Sequence, residues 1–489
     1  MSAVLAIDAG TTGVTALVVG EAGDVLARGY REFPQHFPRP GWVEHEPDEI
    51  WHAVLAACRT ALATAPVPPV AVGVTDQRET AVLWDRATLR APRRAVVWQD
   101  RRSTEVCARL APHEARVREL TGLRLDPYFT GTKLTWLAEN DPAAWAGVTE
   151  GRTAVGTVDS YVLARLTGGA VHATEPSNAS RTLLYDLATG AWSPELCDLL
   201  GVPVAALPEV RPTSGTFGRT DPASFLGLDL PVTGMAGDQQ AALFGQACFA
   251  PGESKCTYGT GSFVLVNTGS SLVRSERGLL TTVAWDLGDG PVYALEGAVF
   301  VTGAAVQWLR DGLGVIADAA ESETLARTVE DSGDVYFVPA LTGLGAPDWD
   351  PAARGAIVGI TRGTTAAHLA RATLEAIAYE VRDVVDVMTG EAGVPLAELS
   401  ADGGASANDL LMQLQADQLG VPVRRPRVLE TTALGAAFLA GLGAGVWSST
   451  DELRDTWRLD ARFAPTPGAR DDGRHARWRA AVARSRGWA

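Results

Sequence analysis

Asp238 heads the run DQQAALFGQ, and shortly after it TYGTGSFVLV sets a Gly-Thr-Gly-Ser turn between two β-like stretches. A carboxylate at a helix start can accept a proton, and the free N–H groups of a Gly/Thr turn can hold phosphate oxygens. Together they describe a base beside a phosphate cradle. Each also has a plainer role, since Asp is a favoured helix cap and Gly-Thr-Gly a common hairpin turn. The chain uses the turn twice. DAGTTGVTAL at residues 8–17 aligns with TYGTGSFVLV at 257–266, so Gly10-Thr11 falls on Gly259-Thr260. Two hairpins of one design imply two related domains facing one phosphate chain, and the lack of any Gly-Lys pair excludes a P-loop.

Other residues could serve such a site. Asp8 ends the first strand, where it either holds magnesium through water or only starts the turn. Arg78-Glu79, in TDQRET, is a surface pair or a donor and acceptor aimed at a polyhydroxy ligand. Trp98 closes AVVWQ as core or as a flat wall for a polyol's carbons, and Tyr128 precedes the helix of TGTKLTWLAEN as a hydroxyl partner or a half-buried ring. Gly403-Gly404 opens a turn against which a flat ligand such as adenine could lie.

These residues need elements to position them. Strands are expected over Ala3–Asp8, Val14–Val19, Asp24–Tyr30, Val70–Thr75, Ala81–Trp84, Ala95–Gln99 and Leu399–Asp402. Thr153–Asp159 reads as a strand before a helix Ser160–Leu166, and Gly168–Trp192 as loop and hairpin. Pro47 with Asp48-Glu49 starts a helix that buries Ile50, Val54, Ala57 and Ala61. Further helices are expected over Gly297–Arg310, His368–Asp383 and Thr431–Gly441, a surface excursion over Pro203–Pro231, and a solvated Arg-rich helix over Asp471–Ala489. At 489 residues and 46% hydrophobic, the chain can build two or three cores. A net charge of −16 argues against nucleic acid or an anionic membrane as partner. Five cysteines without a C-x-x-C pair argue against a disulfide framework or zinc, and no run suits a signal peptide or a membrane span. A cytoplasmic protein is expected.

In order and spacing, TDQRET, AVVWQ, DPYF, GTVDSYVL, SNASRT, AGDQQAALFGQ, TYGTGSF, NTG, ALEGAVFVTGAAVQWLRD and GLGAPDWDP resemble the FGGY carbohydrate kinases over nearly the whole chain. FTGTKLTWLAEN and GAIVGITRGTTAAHLARATLE resemble the two signature segments of that family. The resemblance implies an α/β fold of two actin/hexokinase-like (ribonuclease H-like) domains around a central cleft, residues 1–246 and 247–489. It implies ATP-dependent phosphorylation of a small polyol, with glycerol expected, magnesium required, and a homodimer or tetramer. Arg78, Glu79, Tyr128, Asp238 and Gln239 would bind the polyol hydroxyls, with Trp98 and Phe263 flanking its carbons. Thr11, Thr12, Gly13 and Thr260 would hold the nucleotide phosphates, and Gly303, Gln307, Gly404 and Asn408 the nucleoside. Asp8 and Asp238 would lie near magnesium, with Asp238 as base.

The chain departs from the family at Thr15, where a basic residue usually reaches a nucleotide phosphate, at Asp76 (usually Asn) and at Ala9 (usually Gln). Thr220–Pro231 lacks the Gly/Lys/Arg-rich loop that binds fructose 1,6-bisphosphate in some members. A kinase for another small polyol or ketose, and a non-catalytic nucleotide-dependent binding protein, remain as alternative readings.

Overall fold

The computed structural model describes residues 2–471 and 473–489. Two mixed sheets dominate it. The first runs Ser214–Arg219, Pro231–Gly237, Ala71–Asp76, Ala3–Ala9, Gly13–Gly20, Val25–Glu32 from edge to edge. The second runs Leu459–Phe463, Val423–Pro426, Leu399–Asp402, Ser254–Tyr258, Ser262–Gly269, Pro291–Val299, Leu280–Asp286. Read in these orders the sheets repeat each other. Each has an antiparallel edge strand, three mutually parallel strands, and then two antiparallel neighbours. The second adds Leu280–Asp286. The repeated Gly/Thr turn of the sequence is therefore the visible part of a repeated sheet, and each turn joins a central strand to its antiparallel neighbour.

Pro47–Thr64 covers one face of the first sheet, burying Ile50, Val54, Ala57 and Ala61. The layer between the sheets is built from Asp238–Gly245, which leaves the first sheet, and Thr431–Gly443, which follows a strand of the second sheet yet packs on the first. Their close approach needs small residues. A Cβ on Gly435 would stand 1.8 Å from the Ala241 carbonyl oxygen, and one on Gly73 2.2 Å from that of Ala436. The core of this layer joins Val4, Ala6 and Leu17 to Phe244, Leu265, Trp285 and Phe438, so both sheets hold the same two helices.

Several expected elements are corrected. Gly297–Arg310 is not one helix: Pro291–Val299 is a strand, and the helix is Gly303–Asp311. Gly297 serves the strand because Val384 packs where its side chain would be. The helix expected at His368–Asp383 spans Ala366–Ala392, started by a reciprocal Thr365–His368 cap. Thr153–Gly156 is the strand and Val158–Leu166 the helix. The excursion Pro203–Pro231 contains Ser214–Arg219, the edge strand of the first sheet, folded back through the Thr220 N–H to Leu230 carbonyl bond. The AVVWQ strand is only Ala95–Val96, leaving Trp98 on the segment after it. Finally, Arg474–Ser485 is not a solvated helix, since Trp478, Ala481 and Val482 are buried against Tyr336, Val338 and Tyr379. No helix among the described residues is long and apolar enough to cross a membrane.

Candidate active site

Strands Ala71–Asp76 and Pro231–Gly237 lie parallel with Asp76 opposite Gly237, so their ends deliver Arg78-Glu79 and Asp238-Gln239 to one place. The first connection turns sharply. Glu79 takes a left-handed φ of +61°, and its carbonyl accepts the Thr130 hydroxyl at 3.0 Å. That turn sends Arg78 across the strand ends, with Nε 3.0 Å from Asp238 Oδ1 and Nη2 3.4 Å from the Tyr128 hydroxyl. Asp238 is the first residue of its helix; Gly237 holds the cap position, without a side-chain cap. Its Oδ1 accepts the Gln239 N–H at 2.7 Å, and its side chain stays 29% exposed. Asp238 is therefore held from one oxygen and open at the other.

Aromatic rings wall this slot. Trp98 meets Tyr128 edge to face at 5.7 Å and Phe263, from the second sheet, at 6.5 Å. The Arg78 guanidinium lies 6.0 Å over the Phe263 ring. The Trp98 indole N–H donates to Thr11 Oγ1 at 2.9 Å, joining the slot wall to the first Gly/Thr turn.

Two residues that sequence reasoning passed over hold the slot from behind. Glu296, on the strand Pro291–Val299, is fully buried and accepts Arg78 at 2.5 and 3.1 Å and Arg181 at 2.9 Å. Arg181 also donates to Glu79 at 2.7 Å. Burial alone would push Glu296 up, but Arg181 and Arg78 hold its carboxyl at about 2. Burial leaves Glu79 above its ordinary value in spite of the same two arginines. Arg181 sits just beyond the helical turn Pro176–Ala179, which Glu175 caps through the Ser177 and Asn178 N–H groups. From that turn Ser177 Oγ accepts the Gly237 N–H at 2.9 Å, fixing the residue before Asp238.

The two Gly/Thr turns are braced in similar ways. Gly10 carbonyl accepts Gln77 Nε2 at 3.0 Å, and Gly259 and Thr260 carbonyls accept the Gly303 and Thr302 N–H groups at 2.9 and 2.8 Å. Thr12 and Thr260 are exposed at the turn tips, and Gly13 begins the next strand. A Cβ on Gly303 would stand 2.6 Å from Gly259 oxygen, so that glycine keeps the helix Gly303–Asp311 against the turn. Gly403 packs with φ +81° on the Tyr258 backbone, which brings open Gly404 beside the same turn. Asn408 accepts the Leu411 N–H at 2.9 Å as a helix cap. Gln307 is exposed, and among the described residues no hydrogen bond joins it to Gly404 or Asn408. Thr15 is buried in the strand between Asp8 and Tyr30.

Burial, then Asp238 and Glu430, push the Asp8 carboxyl well above its ordinary range. Carboxylates that repel one another in this way suit a divalent cation. No group of three acidic, histidine or cysteine side chains is placed to share an ion among the described residues. Magnesium, which takes one or two carboxylates and keeps its waters, needs no such closed group.

Fold and slot together fit the class of two-domain α/β kinases, here built on duplicated sheets. The family models described as the FGGY family of carbohydrate kinases, N-terminal and C-terminal domain, match residues 3–245 and 254–444. The chain belongs to the FGGY family of carbohydrate kinases. It is similar to the glycerol kinase of Thermus brockianus, 54% identical over 494 residues covering 100% of this chain and 99% of that one. It is similar also to that of Symbiobacterium thermophilum, 53% identical over 99% of each chain. Among solved structures, Plasmodium falciparum glycerol kinase with ADP superimposes with a TM-score of 0.91 at 33% identity, over 99% of this chain and 98% of that one.

Proposed function

We propose that the chain transfers the γ-phosphate of ATP to a terminal hydroxyl of glycerol, giving sn-glycerol 3-phosphate. The observation that carries this reading is the slot: convergent donors and acceptors between two aromatic walls, one of them bonded to a phosphate turn. Relatives that are 53 and 54% identical over nearly their full length are glycerol kinases, and a glycerol kinase at 33% identity was solved with ADP.

In this reading Glu79 and Asp238 accept from the glycerol hydroxyls while Arg78, Tyr128 and Gln239 donate. Trp98 and Phe263 hold the carbons and exclude longer sugars. Asp238, fixed at Oδ1 by Arg78, accepts the proton of the attacking hydroxyl at its other oxygen. The turns at Thr11, Thr12, Gly13 and Thr260 direct N–H groups at the phosphates as charge spreads. Gly303, Gln307, Gly404 and Asn408 line the nucleoside side. Asp8 and Asp238 would hold magnesium, which when bound neutralises phosphate charge. The division into lobes at residues 246 and 247, assembly as a dimer or tetramer, and a cytoplasmic location belong to the same proposal.

The test is ADP release with MgATP, comparing glycerol with erythritol, xylulose and dihydroxyacetone. Glycerol should turn over best, and Asp238→Asn should lower kcat by about 10²- to 10⁴-fold, the range of general base catalysis, with ATP binding kept. An Asn variant of near wild-type kcat would remove Asp238 from the role of base.

A further inference from the structure

The chain has only two lysines, Lys133 and Lys255, and both are fully buried. Lys255 lies on the strand Ser254–Tyr258, which runs to the second phosphate turn, and its ammonium reaches the slot. Nζ donates to Gln239 Oε1 and, at 2.8 Å, to Thr257 Oγ1. Burial lowers its pKa, and Asp402, Cys256, Asp238 and Glu296 oppose that from the elements around it. Nζ donates both of these bonds, so the carboxamide of Gln239 turns its oxygen toward Lys255. Its Nε2 then points the other way. That group makes no hydrogen bond among the described residues, although Gln239 is only 7% exposed and sits next to Asp238. Because Nε2 is not sealed from solvent, it stands free beside Asp238 to donate to a ligand.

We infer that Lys255 fixes the direction of the Gln239 carboxamide, so that Gln239 meets the polyol as a hydrogen-bond donor and never as an acceptor. Lys255 is a positioning residue for specificity. Glu79 and Asp238 supply the acceptors of the slot, so a donor held at Gln239 completes a fixed pattern that matches one arrangement of hydroxyls. A reversed amide would place two acceptors side by side and leave a polyol oxygen unpaired. The inference rests on the polyol reading of the slot.

Three variants test it by steady-state kinetics with MgATP and glycerol, with thermal unfolding as the control for folding. Gln239→Ala should raise the KM for glycerol about 10- to 100-fold, the size of a lost charge-assisted or buried hydrogen bond. Gln239→Glu is isosteric, can ion-pair with Lys255, and presents only acceptors; it should fold and show at least the same rise. Lys255→Met should raise the glycerol KM about tenfold with the ATP KM within twofold, and in a Gln239→Ala background it should add less than about twofold. A normal KM for Gln239→Glu, with Gln239→Ala impaired, would overturn the inference while keeping the slot. Additive losses in the double variant would overturn it as well. A normal KM for Gln239→Ala would show that Gln239 does not touch the polyol, and it is the polyol assignment that would then fall. Should Lys255→Met not fold, Gln239→Glu alone decides the direction of the amide.

Discussion

Glu296 is the residue on which both slot arginines depend. Replacing it with Ala leaves Arg78 and Arg181 buried without their shared carboxylate, and removing one partner of a buried ion pair costs about 3–5 kcal/mol. Urea unfolding of Glu296→Ala should show a loss of that size; an unchanged midpoint would mean that the arginines find other partners. Trp98 makes a second, subtler prediction. Phe in its place keeps an aromatic wall but deletes the N–H to Thr11, so the KM for ATP should rise about 2- to 12-fold, the worth of one ordinary hydrogen bond. A rise confined to glycerol would show that Thr11 does not pass the effect to the nucleotide. At this scale the sequence displayed what is local. Arg78-Glu79 and Asp238-Gln239 are each adjacent pairs at a strand end, and both landed in the slot. Arg181 and Glu296 carry no local mark, because their partners are 102 to 218 residues away in the chain. Lys255 did carry a mark, as one of two lysines among so many arginines, but rarity of type does not say what a side chain touches.

The elements follow the same logic. The two hairpins were legible because each is a short-range unit, with apolar strands on either side of a Gly/Thr turn. The strand Pro291–Val299 was not, because a run of small and apolar residues suits a helix or a strand until its partner, Ser262–Gly269, is known. The last helix was misjudged for another reason. Its arginines dominate the composition, while Trp478, Ala481, Val482 and Ser485 form one buried face at helical spacing. The Ala and Gly of Thr431–Gly441 are visible in the sequence, but what they serve is not: they let that helix lie on Asp238–Gly245. Gly435→Ala tests this. Its Cβ would fall 1.8 Å from the Ala241 carbonyl oxygen, and overpacking of this kind costs about 1–3 kcal/mol. Because Ala241 is one turn from Asp238, the helices cannot separate without moving Asp238. The variant should therefore lose kcat as well as stability, in activity and denaturant assays on the same sample. Lost stability with full kcat would show that the strain is absorbed in the later helix instead.

For the molecule as a whole, the charge inventory decides how stability responds to alkali. Of 42 basic residues, 40 are arginine, which stays protonated throughout the accessible range. An ordinary protein begins to titrate its surface lysines above pH 9; this one has none on its surface. Lys133 is buried on the helix Thr130–Asn140, where Nζ donates to the Tyr128 carbonyl, and burial pulls its pKa down from the ordinary 10.5 to about 7. Its folded pKa is thus below its unfolded one. Between those two values the unfolded chain binds a proton that the folded chain does not, so this group's contribution to stability rises with pH from about 7 to about 10.5 and is flat below. The slope for one proton is at most about 1.4 kcal/mol per pH unit. Cysteines such as Cys107, raised to about 12, oppose it above pH 9, as do the other groups shared by any variant, so the comparison must be differential. Urea unfolding of wild type and Lys133→Met at pH 7, 8 and 9 should show the wild type gaining on the variant at each step, whatever the sign of the gap at pH 7. A constant gap would mean that Lys133 does not change its protonation on folding, and that the single carbonyl of Tyr128 and the acids beyond it suffice to keep an ammonium inside this lobe.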